Sequence, residues 1–307
     1  QKSLISIMGP TAIGKTDLAL QLHDYMNVEI ISVDSVQVYK QLDLGSGKPN
    51  KEILSKYPHK LIDVIAPYEN YSTGKFQKDC LNEIRAIDSS NKIPLLVGGT
   101  MLYFKNLFHG ISKLPESTDE IRQEVELESN QKGLKTMYEY LKKVDLLSAK
   151  GIHPNDSQRI KRAIEVYRLT NKPLSLWHQE NYLEVHADLK SFEIFQFAIK
   201  PKDTNAHREK IALRFHKMID KGLIKEVEDL LNIDHMNSTK SSLRSVGYKQ
   251  VADYLEGNLS FDEMIFRAIT ATRQLAKRQM TWLRSWNQVI WLEGDSDNNM
   301  QNILDII

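Results

Sequence analysis

Eight residues, Gly9, Pro10, Thr11, Ala12, Ile13, Gly14, Lys15 and Thr16, spell G-x-x-x-x-G-K-T directly after the apolar run Leu4-Ile5-Ser6-Ile7-Met8. Types and spacing suit one chemistry. The loop amides can converge on an anion, and a helix starting near Lys15 would point its positive end at the same place. Lys15 would cancel phosphate charge and the Thr16 hydroxyl would hold Mg²⁺, so the pattern predicts a polyphosphate ligand without saying which one.

Two further positions bear chemistry. Asp34 is the first polar side chain after the run Val28 to Val33. It reads as a general base, as a direct or water-mediated Mg²⁺ ligand, or as an N-cap for a following turn. Gly98-Gly99-Thr100 offers close backbone approach with a hydroxyl at a strand end, or a plain strand-to-helix turn with Thr100 as N-cap.

Cations cluster in two predicted helices. In Gln158-Arg159-Ile160-Lys161-Arg162 the next acid is Glu165, and from Arg267 to Arg284 no Asp or Glu interrupts Arg267, Arg273, Lys277, Arg278 and Arg284. On an ideal helix Arg273, Lys277 and Arg284 lie within about 40° of one another, with Ile265, Ile269, Ala276 and Met280 available to a buried face. A solvated face explains one such stripe; two beside a phosphate loop point to a polyanion. The acidic stretch Glu116-Ser117-Thr118-Asp119-Glu120 with Glu124, Glu126 and Glu128 reads mainly as helix capping and solvation, with Arg122 its exception.

The elements that must position these residues alternate. Apolar runs at Leu4 to Met8, Val28 to Val33, Leu61 to Ile65, Ile93 to Val97, Phe192 to Ile199 and Val289 to Leu292 are separated by helical patterns such as Thr16 to Met26 and Gly74 to Ile87. This predicts an α/β fold with a mainly parallel sheet, flanking helices and ligands beyond the carboxyl ends of the strands. A helical insertion is expected over 114–191, with helices at Ser117 to Asn130, Leu134 to Leu146 and Asn155 to Leu169, between a core of 1–113 and its remainder at 192–307. The last part carries helical patterns at Ala206 to Lys221, Ile224 to Leu231, Ser245 to Leu255 and Phe261 to Trp286.

At 307 residues, 41% hydrophobic and formal charge +1, the chain is sized for a large core and is no bulk polycation. The lone Cys80 predicts neither disulfide nor structural zinc, and the cytoplasm is expected. No apolar run reaches membrane-spanning length. Gln1-Lys2-Ser3 enters the first strand without a signal-peptide pattern.

Taken together, the chain resembles the bacterial-type tRNA dimethylallyltransferases, or tRNA isopentenyltransferases. The resemblance rests on the phosphate loop, Ile31-Ser32-Val33-Asp34-Ser35-Val36-Gln37-Val38-Tyr39, Val97-Gly98-Gly99-Thr100-Met101-Leu102-Tyr103, His153-Pro154-Asn155-Asp156 with Arg159 to Arg162, Val246-Gly247-Tyr248, and Ala271 to Gln279. It implies a P-loop NTPase-like core and transfer of dimethylallyl from dimethylallyl diphosphate to the exocyclic amine of the adenine 3′ of the anticodon, in tRNAs reading codons that begin with U. The loop would then hold prenyl diphosphate, with Mg²⁺ on Thr16. Asp34 would be the base, Arg214 would meet the leaving group and Thr100 would bond near the reacting groups. The anticodon stem-loop would be gripped by Asp34, Ser35, Val36, Gln37, Thr100, Arg122, Gln158, Arg159, Ile160, Lys161, Arg162, Arg244, Gly247, Arg273, Lys277 and Arg278. A monomer without membrane attachment, and without a zinc-finger extension of the eukaryotic kind, is expected.

The chain departs from the family pattern at Ser46 and Gly47, where Thr and Ala are expected, and at His59-Lys60, where His-His is common. Neither departure is expected to touch a catalytic group. The rival readings are an adenylate isopentenyltransferase, a phosphate-loop small-molecule kinase and a non-catalytic RNA-binding protein.

Overall fold

The apolar runs form one six-stranded sheet: β1 (Lys2–Met8), β2 (Val28–Val33), β3 (His59–Lys60), β4 (Ile93–Gly98), β5 (Phe192–Lys200) and β6 (Ile290–Glu293). The computed structural model describes residues 2–110, 114–115, 117–180 and 187–307. Strand order is β3-β2-β4-β1-β5-β6, and every pairing is parallel. Parallel strands require crossovers, and helices packed on both faces explain why Leu4, Ile5, Ile7 and Met8 of β1 are all fully buried. Met8 and Val33 both pair with Gly98, so β1, β4 and β2 end level and side by side. That register brings the phosphate loop, Gly99 and Asp34 to one edge of the sheet.

The chain packs as two units, Gln1–Phe108 with Ala187–Ile307, and His109–His186. In the first, α1 (Lys15–Tyr25) follows the phosphate loop, and α2 (Lys51–Lys56), α3 (Thr73–Ser89) and α4 (Met101–His109) come before the second unit. Leu18 and Leu22 of α1 pack on Ile5, Ile7 and Phe197. Phe76 and Ile84 of α3 with Phe104 of α4 cover Leu4, Met8 and Ile31.

The expected third strand, Leu61 to Ile65, is displaced. Only His59–Lys60 pairs with β2, because Leu61 and Asp63 take positive φ, 61° and 56°, which breaks the extended chain. The turn that results is held by Lys48, whose buried ammonium reaches Asp43 and Asp63 at 2.6 Å each and the Tyr39 carbonyl at 3.0 Å.

The second unit contains α5 (Asp119–Lys132), α6 (Leu134–Val144), α7 (Leu146–Gly151), α8 (Ser157–Thr170) and α9 (Leu174–Glu180). One helix was expected from Leu134 to Leu146, but the chain breaks at Asp145. Its carboxylate caps α7 through the Ser148 amide at 3.0 Å and also takes the Ser175 amide at 2.9 Å. Val125, Met137, Leu141, Ile160 and Ile164 form this unit's core.

The chain returns through β5 to α10 (Thr204–Asp220), α11 (Leu223–Leu231), α12 (Tyr248–Leu255), α13 (Phe261–Arg284) and α14 (Asn299–Leu304). Phe215, Val227, Tyr248, Val251 and Met264 pack together with Val38 and Leu42. A capping box of Ser260 and Glu263 starts α13, the 24-residue helix whose far end places Leu283 in the cluster against the sheet. No helix among the described residues is long and apolar enough to cross a membrane.

Candidate active site

The loop from Gly9 to Gly14 turns sharply enough to put Ala12 at φ 62°, and α1 begins at Lys15. A non-glycine residue held there is local strain of the kind that the surroundings must enforce. Thr11 carries the restraints: its amide donates to Gln279 Oε1 at 2.9 Å, its carbonyl accepts from His207 Nε2 at 2.9 Å, and its hydroxyl accepts from Arg214 Nη1 at 3.1 Å. Because a carbonyl only accepts, His207 carries its hydrogen on Nε2.

Lys15 donates to the Pro10 carbonyl at 2.8 Å. Burial, then the charge of Arg214, bring its pKa down to about 7, with Asp34 opposing them. Burial also lowers Arg214, again against the pull of Asp34. A site that strains to keep two cations charged is one that an arriving anion relieves.

Asp34 follows β2 and does what its blandest reading required: Oδ1 accepts from the Val36 amide at 2.8 Å and from the Gln37 amide at 3.2 Å. Both bonds fall on one oxygen. Thr100 opens α4, yet its hydroxyl does not cap that helix. It accepts from the Ser35 amide at 3.0 Å, so it ties the end of β4 to the end of β2.

Two cavities meet here. The larger, about 590 Å³, is lined by Ala12 to Thr16, by Lys210 and Lys217 of α10 and by Lys221 just after it. The smaller, about 330 Å³, has an apolar wall of Val36, Met101, Leu102, Phe215 and Trp282, with Thr100, Gly247 and Arg278 around it. Asp34, Thr11, Gly99, Arg214 and Gln279 line both.

The loop after β2 corrects one expectation. Gly47 lies at φ +64°, and a Cβ there would overlap the Arg214 guanidinium. The departure from alanine at this position therefore touches a candidate catalytic group. The same loop hangs from Glu226, whose carboxylate takes the amides of Asp43, Leu44 and Gly45 and the Tyr248 hydroxyl at 2.6 Å. Tyr248 in turn accepts from the Ser46 amide at 3.2 Å. His59, the residue beside the second departure, lines the larger cavity.

Arg244, Arg273, Lys277 and Arg278 are exposed on the first unit. Arg122 and Gln158 to Arg162 belong to the second unit, where the expected acid-free stripe is not found. Arg159 pairs with Asp156 at 3.4 Å, Lys161 with Glu126 at 2.7 Å and Arg162 with Glu165 at 3.4 Å. The expected capping is found at Thr118 with Asp119 and Glu120 in the first turn, but Glu124, Glu126 and Glu128 are partners of α8 rather than mere solvation, Glu124 and Glu128 both binding Arg168. Ile160 is fully buried, which removes its side chain from the proposed contacts. Arg122 is 44% exposed beside Asp119, and Glu116 lies outside the described residues. Sequence reasoning missed Gln279, His207 and Glu226. Gln279 had a signal: it stands three residues after Ala276 and four before Leu283, on the buried face of a helix, where a polar side chain needs partners.

The chain matches the family model described as IPP transferase over residues 37–286 and that described as isopentenyl transferase over 2–69. It is similar to the solved tRNA isopentenylpyrophosphate transferase of Bacillus halodurans, at 31% identity over 100% of this chain and 95% of that one, TM-score 0.71. The tRNA delta(2)-isopentenylpyrophosphate transferase of Staphylococcus epidermidis is 32% identical over 100% and 97%, TM-score 0.69. A eukaryotic dimethylallyltransferase acting on tRNA is 26% identical over 100% and 78%, TM-score 0.78.

Proposed function

Because the chain belongs to the IPP transferase family and is a tRNA prenyltransferase, we propose that it moves a dimethylallyl group from dimethylallyl diphosphate to the adenine 3′-adjacent to the anticodon, in tRNAs reading U-starting codons. The observation that carries this reading is Asp34 at the junction of a cationic cavity and an apolar one. The exocyclic nitrogen of adenine shares its lone pair with the ring and is a weak nucleophile. As it attacks the allylic carbon, the bond from that carbon to diphosphate oxygen breaks and the nitrogen must lose a proton. Asp34 Oδ1 is held by the turn, which leaves Oδ2 to take it.

Charge accumulates on the departing diphosphate. Lys15, the amides from Ala12 onward and Arg214 are arranged to meet it, and positioned charges of this kind need no reorganisation as the bond breaks. The Thr16 hydroxyl lines the same cavity, while no three acidic, His or Cys side chains among the described residues gather to form a metal site. This donor set fits a Mg²⁺ ion, which the Thr16 hydroxyl would hold. The ion would neutralise leaving-group charge.

The adenine must leave its stack to reach Asp34, so the acceptor is a flipped base of the anticodon stem-loop. Ser35, Val36, Gln37, Thr100, Gly247 and Arg278 are its candidate neighbours, and Arg244, Arg273 and Lys277 candidate phosphate contacts. We assign Arg122, Gln158, Arg159, Lys161 and Arg162 to the same partner. The protein acts as a cytoplasmic monomer in this reading. Incubation with labelled dimethylallyl diphosphate and Mg²⁺, offering tRNA, AMP and ATP in parallel, tests the acceptor. Label is expected in tRNA alone; label in the mononucleotides would overturn the reading.

A further inference from the structure

Gln279 is the one side chain hydrogen-bonded to both the phosphate loop and the end of β4 among the described residues. It is 8% exposed, on the inner face of α13. Its Oε1 accepts from the Thr11 amide at 2.9 Å and its Nε2 donates to the Gly99 carbonyl at 2.8 Å. The two partners fix the orientation of the amide, since an N–H only donates and a carbonyl only accepts. The approach is close enough that a Cβ at Gly99 would lie 2.5 Å from Nε2 and would displace the amide.

Each partner leads to a different half of the reaction. Thr11 holds Arg214 through its hydroxyl, and Arg214 belongs to the leaving group. Gly99 precedes Thr100, which is bonded to Ser35 beside Asp34, on the side of the incoming amine. We propose that Gln279 is a positioning residue that sets the spacing between the leaving-group half and the acceptor half of the site. The inference rests on the site reading given above. Transfer between two bound reactants depends steeply on their separation, whereas the binding of each depends on its own half. Loss of Gln279 should therefore lower kcat while leaving each substrate's affinity nearly intact.

The discriminating variant is Gln279→Glu, which has the same shape. One carboxylate oxygen still accepts from Thr11. The other, when ionised, faces the Gly99 carbonyl with no hydrogen to give; when protonated, it donates as the amide did. Lys15, Asp34, Arg214 and Arg278 around the cavities, and His207 on the Thr11 carbonyl, are common to both proteins, so the readout is the ratio of variant to wild-type kcat across pH. The expected ratio is about one tenth or lower near pH 8, rising severalfold as pH falls toward about 6, with dissociation constants for tRNA and prenyl diphosphate within about threefold of wild type. A ratio near one at all pH values, or a loss confined to substrate affinity, would overturn the proposal. Thermal midpoints are recorded alongside. If the Glu variant does not fold, Gln279→Met must show the same kcat loss with no acid recovery, and wild-type kcat in that variant would equally overturn it. Asp34→Asn is run in the same assay: full activity there would sink the site reading itself, whereas an inactive Asp34→Asn beside an unaffected Gln279→Glu would sink only the role of Gln279.

Discussion

Asp34 builds a turn with one carboxylate oxygen, and the proposed function gives the proton to the other. Oδ1 builds the turn to Val36 and Gln37; the base reading concerns the other oxygen. Asp34→Asn keeps a carbonyl for the turn and removes the base, so it isolates chemistry from folding better than alanine does. Turnover is expected to fall about 10²-fold or more while the denaturation midpoint and tRNA affinity stay near wild type; single-turnover transfer with purified variant checks this. His207 offers a residue-scale test of a different kind. Burial, and then the charge of Lys15, hold its pKa below the ordinary imidazole value, against the pull of the Thr11 carbonyl. The native state thus favours neutral imidazole: above about pH 6.5 folded and unfolded chains are both neutral here, and as pH falls below that the unfolded chain binds the proton first. Wild-type stability should decline in that window more than that of His207→Gln, which keeps a donor for Thr11 without titrating. Denaturant midpoints measured from about pH 8 to pH 5 would converge on acidification; parallel curves would contradict the assignment.

At the scale of elements, the loop after β2 is as much part of the site as the phosphate loop. Glu226 and Tyr248 suspend it, and Gly47 leaves the volume that the Arg214 guanidinium fills. Gly47→Ala should displace Arg214, raise KM for prenyl diphosphate about tenfold and cost about 1 kcal/mol of stability from the unfavourable φ; an unchanged KM in steady-state assays would detach the loop from the leaving-group site. The exposed cations of α13 make a separate prediction. Arg273→Ala and Lys277→Ala should each reduce the salt dependence of tRNA binding by about one ion while leaving kcat at saturation unchanged, read from dissociation constants over a salt series. These elements show what periodicity could reveal. Strand runs at Val28 to Val33 and Phe192 to Ile199 were legible because both faces of a covered parallel strand are apolar, and helices at Thr16 and Phe261 because one face is. The break at Asp145, the displaced third strand and the pairing of α8 with the acids of α5 were not, because each depends on where a side chain finds a partner distant in sequence. Gln279 was half-legible, its buried position readable and its partners not.

Across the whole molecule, three strand ends made level by parallel register, one loop, and two helices from the far part of the chain converge on a single junction of cavities. Its motif alone indicates a polyphosphate ligand and no particular reaction. The cavities suggest two substrates meeting, with prenyl diphosphate held on the loop and a base delivered to Asp34. The most direct test of that account is mass spectrometry of nuclease digests of unmodified tRNA after incubation with the protein, Mg²⁺ and dimethylallyl diphosphate. The account predicts a gain of one dimethylallyl unit on the adenine 3′ of the anticodon, confined to tRNAs that read U-starting codons; prenylation elsewhere in the tRNA, or none by folded protein, would contradict it.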